Sequence, residues 1–124
     1  MSFNKDSFKH ASYLWDDAKA DAMAGDEVAL FIYRSNLLGA DLRLTNYGGG
    51  NTSVKIADKD PLTGNETEVM WIKGSGGDIG TLKKSGCAAL YMDRLLNLEN
   101  VYRGIQHEDE MVELFNHCIF DLAS

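Results

Sequence analysis

The sequence predicts an α/β fold whose sheet contains an antiparallel hairpin. Residues 52–57 and 68–73 alternate apolar and polar side chains, which is the pattern of half-buried β-strands. The connector between them holds the only proline of the chain and a Gly-Asn pair, both typical of turns. Apolar side chains at three- and four-residue spacing before and after this hairpin predict helices.

Two helices are predicted before the hairpin. Alanine and aromatic residues recur at helical spacing over residues 5–24. Asp26 is expected to cap a second helix over residues 28–38, which would end near Gly39. This second helix is apolar almost all round, and we therefore expect it to be buried on more than one side.

The remaining elements follow the hairpin. Residues 79–86 are expected to be irregular or short 3₁₀ structure, and residues 88–92 to form a third strand. Asp93 is predicted to cap a helix that stops near Gly104. A last helix opens with the acidic residues 108–110 and presents one apolar face that needs a partner. That face consists of Met111, Leu114, Phe115, Cys118, Ile119 and Leu122.

Composition limits the chain to one ordinary globular domain. Nineteen acidic against twelve basic residues give a net charge of −7, which argues against nucleic acid and anionic membranes as partners. No stretch approaches the ~18 apolar residues of a membrane span, and no apolar run of the signal-peptide type follows the charged residues near Met1, so we expect a cytoplasmic protein. Cys87 and Cys118 lie among apolar residues and are expected to be reduced core thiols.

Two glycine-rich runs flank the predicted hairpin. The first is Asn46-Tyr47-Gly48-Gly49-Gly50-Asn51-Thr52-Ser53, and the second is Lys73-Gly74-Ser75-Gly76-Gly77-Asp78. Glycine is favoured where the backbone takes positive φ or a ligand approaches it closely, and bare peptide N–H groups in such turns attract anions. Neither run has the spacing of a Rossmann fingerprint or a P-loop. Pairing of the strands would bring residue 51 near residue 74, so the runs would flank one phosphate-sized site.

Each signal also has a purely structural interpretation. Either glycine run alone would be explained as a turn, and the pair across one hairpin favours a binding site. Lys73 could neutralise phosphate as a point cation or could be a solvated strand end. The acidic runs are better explained by helix capping and solvation than by metal binding. His107 and His117 are expected to be structural, because no histidine of the chain belongs to a metal-binding motif. Trp71 is expected in the core.

The glycine runs also resemble a known family. Gly50-Asn51-Thr52-Ser53-Val54-Lys55, followed by Val69-Met70-Trp71-Ile72-Lys73-Gly74-Ser75-Gly76-Gly77, resembles the N-terminal half of a class II aldolase/adducin domain. The resemblance is closest to the rhamnulose-1-phosphate aldolase part of bifunctional aldolase/short-chain dehydrogenase proteins. It implies a three-layer α/β/α domain with a mainly antiparallel central sheet, of which residues 1–124 would be the N-terminal portion.

The resemblance implies a metal-dependent aldolase (a carbon–carbon lyase) that cleaves L-rhamnulose 1-phosphate. Gly50, Asn51, Ser75 and Gly76 would bind the sugar phosphate. The metal, expected to be zinc, is held in the family by an H-x-H pair and a later histidine. These motifs do not occur in the chain, so metal ligands and catalytic residues are expected beyond it, and residues 1–124 alone are expected to be inactive. The resemblance also implies a homo-oligomer in the complete protein. Alternatives are an aldolase for another ketose 1-phosphate, such as fuculose 1-phosphate, and a non-catalytic adducin-like association domain.

Overall fold

Four α-helices and three β-strands make up the described part of the chain, residues 13–46 and 48–120 of a computed structural model. The helices are α1 (Asp17–Ala22), α2 (Glu27–Ala40), α3 (Met92–Val101) and α4 (Asp109–Phe115). The strands are β1 (Ser53–Lys59), β2 (Glu66–Lys73) and β3 (Cys87–Tyr91). Short 3₁₀ helices lie at Ile79–Thr81, Lys84–Gly86, Ile105–His107 and Asn116–Cys118. The predicted α/β class with an antiparallel hairpin is confirmed.

The chain folds into two compact units, each built from two segments. The first unit contains the described residues up to Thr52 together with Lys73–Lys84, and therefore holds α1, α2 and both glycine runs except Ser53. The second unit contains Ser53–Ile72 together with the described residues from Ser85 onward. None of the described helices combines the length and the apolar character that crossing a membrane requires.

Helix α2 is the main element of the first unit. The Asp26 side chain accepts a hydrogen bond from the Ala29 N–H at 2.9 Å, which confirms the predicted cap. The expected burial on more than one side is found only in part, because the fully buried residues lie along one line of the helix while Leu30, Ile32 and Leu37 are half-buried. The buried residues Phe31, Ser35 and Gly39 follow each other at four-residue spacing, and four-residue spacing keeps them on one line of the helix.

The turn at Ile79–Thr81 packs against the buried line of α2. A Cβ atom added to Gly39 would overlap the backbone of Gly80, so only glycine allows this approach. The Asn36 side chain fixes the same contact, since its Nδ2 donates to the carbonyls of Ile79 at 3.0 Å and Leu82 at 3.1 Å. The helix is therefore fastened directly to the segment that follows the second glycine run.

The hairpin and the third strand form the sheet, in the order β1-β2-β3. Strands β1 and β2 are antiparallel, with register pairs from Ser53↔Ile72 to Lys59↔Glu66. Their connection spans residues 60–65 and is shorter than predicted because both strands extend towards the turn, where Gly64 takes φ +74°. The second unit's buried residues include Trp71, confirming its predicted place in the core, together with Val69, Cys87, Ala89, Leu90, Tyr91 and Cys118.

The helices of the second unit depart from the prediction at their ends. Helix α3 begins at Met92, so Asp93 lies in its first turn instead of capping it, and the helix ends at Val101 before Gly104. Helix α4 ends at Phe115 because the chain then turns to place Ile119 opposite Leu90. The prediction of one continuous helical face from Met111 to Leu122 is therefore wrong for the described residues, which end at Phe120. Leu122 lies outside them.

The first predicted helix, over residues 5–24, is found only in part. Helix α1 begins at Asp17, and the Asp16 side chain caps it by accepting from the Ala18 N–H at 2.9 Å. The chain then turns through Gly25 at φ +86°, which separates α1 from α2. Residues 5–12 of the prediction lie outside the described part of the chain.

Candidate anion-binding site

One backbone hydrogen bond joins the two glycine runs. The Lys73 N–H donates to the Thr52 carbonyl at 3.0 Å, one step beyond the last register pair of the hairpin, Ser53↔Ile72. Asn51 and Gly74 follow directly on this pair, so the predicted approach of positions 51 and 74 is confirmed. The end of the first run and the start of the second are therefore joined within the first unit.

The first glycine run needs glycine at two described positions. Gly48 and Gly50 have φ values of +74° and +92°, a region that side chains other than glycine rarely enter. Gly50 also lies against Ile79, since an added Cβ would be 2.5 Å from the Ile79 Cδ1 atom. Through this contact, the first glycine run packs against the 3₁₀ helix Ile79–Thr81, which follows the second glycine run. The Gly49 N–H donates to the Asn46 carbonyl at 3.1 Å and closes the turn.

The second glycine run is organised around Lys73. The Lys73 side chain is only 8% exposed, and its Nζ donates to the carbonyls of Gly74 at 3.2 Å and Gly76 at 3.0 Å. The expectation of a solvated strand end is therefore wrong, whereas neutralisation of a phosphate by the charge of Lys73 stays a prediction. Gly76 and Gly77 follow with φ values of +77° and +76°.

The side chains of Asn51 and Ser75 are both exposed, and neither forms a hydrogen bond with a described residue. Among the described residues, Asn51 thus forms no side-chain hydrogen bond that would stabilise its own turn. The predicted site residues Gly50, Asn51, Ser75 and Gly76 all belong to the first unit. Their role in binding a ligand stays a prediction.

The Thr52 side chain is held by α2. Ser35 is fully buried and donates its hydroxyl proton to the Phe31 carbonyl at 2.8 Å. A hydroxyl has one proton, so the 3.0 Å contact between the Ser35 and Thr52 hydroxyls uses the Thr52 proton. Arg34 Nη2 also lies 3.4 Å from Thr52 Oγ1 and donates to it. The Thr52 hydroxyl thus anchors the first glycine run to the helix.

Arg34, Ser35 and Asn36 contribute to the site although the sequence pattern did not predict it. These three consecutive polar residues interrupt an otherwise apolar helix, and that interruption was the available signal. Arg34 and Ser35 bind Thr52 next to the first run, while Asn36 binds two carbonyls after the second. Helix α2 therefore holds the end of the first run and the segment after the second through three consecutive polar residues.

Asp78 puts a negative charge at the end of the second run. Its Oδ1 atom is buried and has no hydrogen-bond partner among the described residues. Burial of a carboxylate oxygen without a donor is unfavourable, because the oxygen loses water without gaining a partner. This charge opposes the binding of an anion, whereas the bare N–H groups of the run favour it.

The described residues contain no group of three His, Cys, Asp or Glu side chains that could hold a metal ion. Cavities of about 430 and 470 Å³ do occur, one beside α2 around Ile32 and one between α3 and α4 around Leu98. Neither is lined by the glycine runs, so the candidate site is an exposed backbone surface.

Comparison with known proteins identifies the fold. A structure described as the N-terminal class II aldolase domain of a conserved protein from Thermoplasma acidophilum superposes on 97% of the chain with a TM-score of 0.61 and 24% identity. The fold is that of a class II aldolase domain. The chain spans 49% of that solved chain. No family model matches the sequence.

A curated relative is closer in sequence. The protein named "Uncharacterized oxidoreductase YuxG" from Bacillus subtilis (strain 168) is 41% identical over 109 residues, which is 88% of the chain. The chain spans only 15% of the length of that relative. The described class II aldolase fold thus corresponds to a small part of a much longer protein in Bacillus.

Proposed function

We propose that the chain belongs to the class II aldolase/adducin family and carries the phosphate-binding loops of a sugar-phosphate aldolase. One observation carries this proposal: the hydrogen bond between Lys73 and Thr52 brings the two glycine runs together. The exposed side chains of Asn51 and Ser75, one in each run, form no hydrogen bond with a described residue. The class II aldolase fold supports it independently. Residues 1–124 would be the N-terminal portion of this single domain.

The proposed ligand is the phosphate group of a ketose 1-phosphate. The Asn51 amide would donate to a phosphate oxygen, and Gly50 and Gly76 would let the backbone approach closely. With a net charge of −7 the protein attracts anions only through such local donors. The phosphate lies away from the carbon–carbon bond that reacts, so these residues would bind and orient the substrate.

The proposed reaction is the cleavage of L-rhamnulose 1-phosphate to dihydroxyacetone phosphate and L-lactaldehyde. It would need a divalent metal, zinc in this proposal, to polarise oxygen atoms as a Lewis acid. The described residues do not fit such an ion, so its ligands would come from outside them. The complete protein should release aldehyde from L-rhamnulose 1-phosphate, and release only from fuculose 1-phosphate would overturn the sugar assignment.

The name of the Bacillus relative favours a second, compatible activity. That protein is called an oxidoreductase, and this chain matches only 15% of it. We therefore propose that the aldolase segment works beside an oxidoreductase domain in one polypeptide. The complete protein should then reduce NAD when L-lactaldehyde is supplied, and failure to do so with active aldolase would remove this second activity.

Asn51 provides the test of the binding site. A hydrogen bond to a charged group contributes about 1.5–3 kcal/mol, so Asn51→Ala should weaken binding of dihydroxyacetone phosphate by roughly ten- to a hundredfold. Ser75→Ala should cost a similar or smaller factor, and Ser85→Ala, the matched control beyond the run, almost nothing. Calorimetric affinity and thermal unfolding are measured on each variant. A large loss of stability with unchanged affinity would mean that the glycine runs are only turns.

A further inference from the structure

The ammonium group of Lys73 lies beneath the second glycine run. It donates to two carbonyls of that run, those of Gly74 and Gly76, and only 8% of the residue is exposed. Ser75, Gly76 and Gly77 above it are exposed. The lysine therefore occupies the inner side of the loop, and the outer side faces solvent.

Peptide geometry then fixes the direction of two N–H groups. No described peptide bond is cis, and in a trans peptide the C=O and the next N–H point in opposite directions. Because the carbonyls of Gly74 and Gly76 point at Nζ, the N–H groups of Ser75 and Gly77 point away from it. Neither N–H has an acceptor among the described residues.

The charge of Lys73 has no counter-ion in the described chain. No ion pair joins Lys73 to a described carboxylate. A buried ammonium is normally paired, because the loss of water around a charge is costly. Its two hydrogen bonds also polarise the peptide groups they reach, which makes the N–H on the far side of each peptide a stronger donor.

We propose that Lys73 is a positioning residue, which orients the Ser75 and Gly77 N–H groups towards a phosphate on the outer side of the loop and balances the charge from behind. This inference rests on the proposed phosphate site and extends it to Gly77. The bound phosphate would be the missing counter-charge, separated from the ammonium by the peptide groups. Lys73 would act through the backbone without touching the ligand.

Nuclear magnetic resonance of the 124-residue chain with dihydroxyacetone phosphate tests this arrangement directly. We expect ¹⁵N–³¹P coupling across hydrogen bonds from the Ser75 and Gly77 amides, and none from Lys73 Nζ. Coupling from Nζ, or binding without involvement of these two amides, would overturn the proposal. This measurement needs no variant, so it does not depend on how a substituted chain folds.

A variant tests the same inference through affinity and loop order. Lys73→Met keeps the apolar stem and removes the donors, and we expect about tenfold weaker binding of dihydroxyacetone phosphate, which corresponds to about 1.4 kcal/mol. Lys55→Met, the same change at an exposed strand position, should leave affinity within about twofold, as for surface sites away from a ligand. Unchanged affinity in Lys73→Met would refute the positioning role and leave the phosphate site intact.

The ligand-free chain separates this inference from the proposed function. If Lys73 orders the loop, Lys73→Met should change the amide exchange and chemical shifts of Ser75 and Gly77 while the resonances of β1 stay in place. If the unmodified chain binds no phosphate ester, the proposed function fails, and the ligand-free spectra still decide whether Lys73 orients the loop. Unchanged spectra at both amides would refute the inference alone.

Discussion

Gly39 and Gly80 meet backbone to backbone, where α2 crosses the short 3₁₀ helix Ile79–Thr81. An added Cβ on Gly39 would overlap Gly80, and one on Gly80 would lie 3.1 Å from the Gly39 carbonyl oxygen. This contact places Asn36 within hydrogen-bonding distance of Ile79 and Leu82. The segment that follows the second glycine run therefore packs against α2 at Gly39, where only glycine leaves room for the contact.

Gly39→Ala should destabilise the protein despite the higher helix propensity of alanine. In an open helix the change would be stabilising by roughly 0.5–1 kcal/mol, whereas overlap with the Gly80 backbone forces the helix and the turn apart. We expect a net loss of more than about 2 kcal/mol in the free energy of unfolding, measured by urea denaturation. A gain in stability would show that the helix and the turn are not in contact.

Gly50→Ala and Gly49→Ala form a matched pair in the first glycine run. Alanine at Gly50 would have to adopt φ +92° and would approach Ile79 Cδ1, whereas Gly49 has only ordinary contacts from 3.6 Å outward. We expect Gly50→Ala to lose about 1–3 kcal/mol of stability and Gly49→Ala to change it much less. Equal thermal midpoints for the two variants would contradict the backbone geometry described for Gly50.

The hairpin was predictable because its signals are local. Alternation in 52–57 and 68–73, with Pro61 and Gly64 between them, determines two strands and a turn without help from the rest of the chain. The Lys73–Thr52 bond follows from the same pairing and thereby joins the glycine runs. This part of the candidate site could be predicted from sequence spacing alone.

Other features depend on contacts between distant segments and could not be predicted. Helix α4 stops at Phe115 because Ile119 pairs with Leu90, a residue far away in the sequence. The inward turn of Lys73 depends on the path of the following loop, whose carbonyls compete with water for the ammonium group. The local sequence pattern indicates neither the Ile119–Leu90 pair nor the hydrogen bonds of Lys73. At both positions, tertiary contacts override the local structural propensity.

Asp78→Asn should increase affinity for phosphate esters. The carboxylate lies directly after the second glycine run, and its charge repels an anion bound there. Removing one charge at a partly exposed site changes binding by about 0.5–1 kcal/mol, or roughly two- to fivefold. Asp21→Asn on α1, an exposed carboxylate, serves as the control for net charge. Equal gains in both variants would assign the effect to net charge and not to the position of Asp78.

Cys118 should make stability fall in alkaline solution. Burial is the main cause that raises the pKa of this thiol above its ordinary value of 9.0; Arg94 lowers it and Asp93 raises it further. Above pH 9.0 the unfolded chain releases the thiol proton while the folded chain retains it, so the stabilising contribution is present below that pH and is lost as pH rises. The urea midpoint of the unmodified chain should therefore fall more steeply as pH rises above 9.0 than that of Cys118→Ala. Ellman's reagent should label the buried thiol slowly until the chain unfolds. Parallel midpoints across this pH range, or immediate labelling of the folded chain, would show that Cys118 is not held in the core.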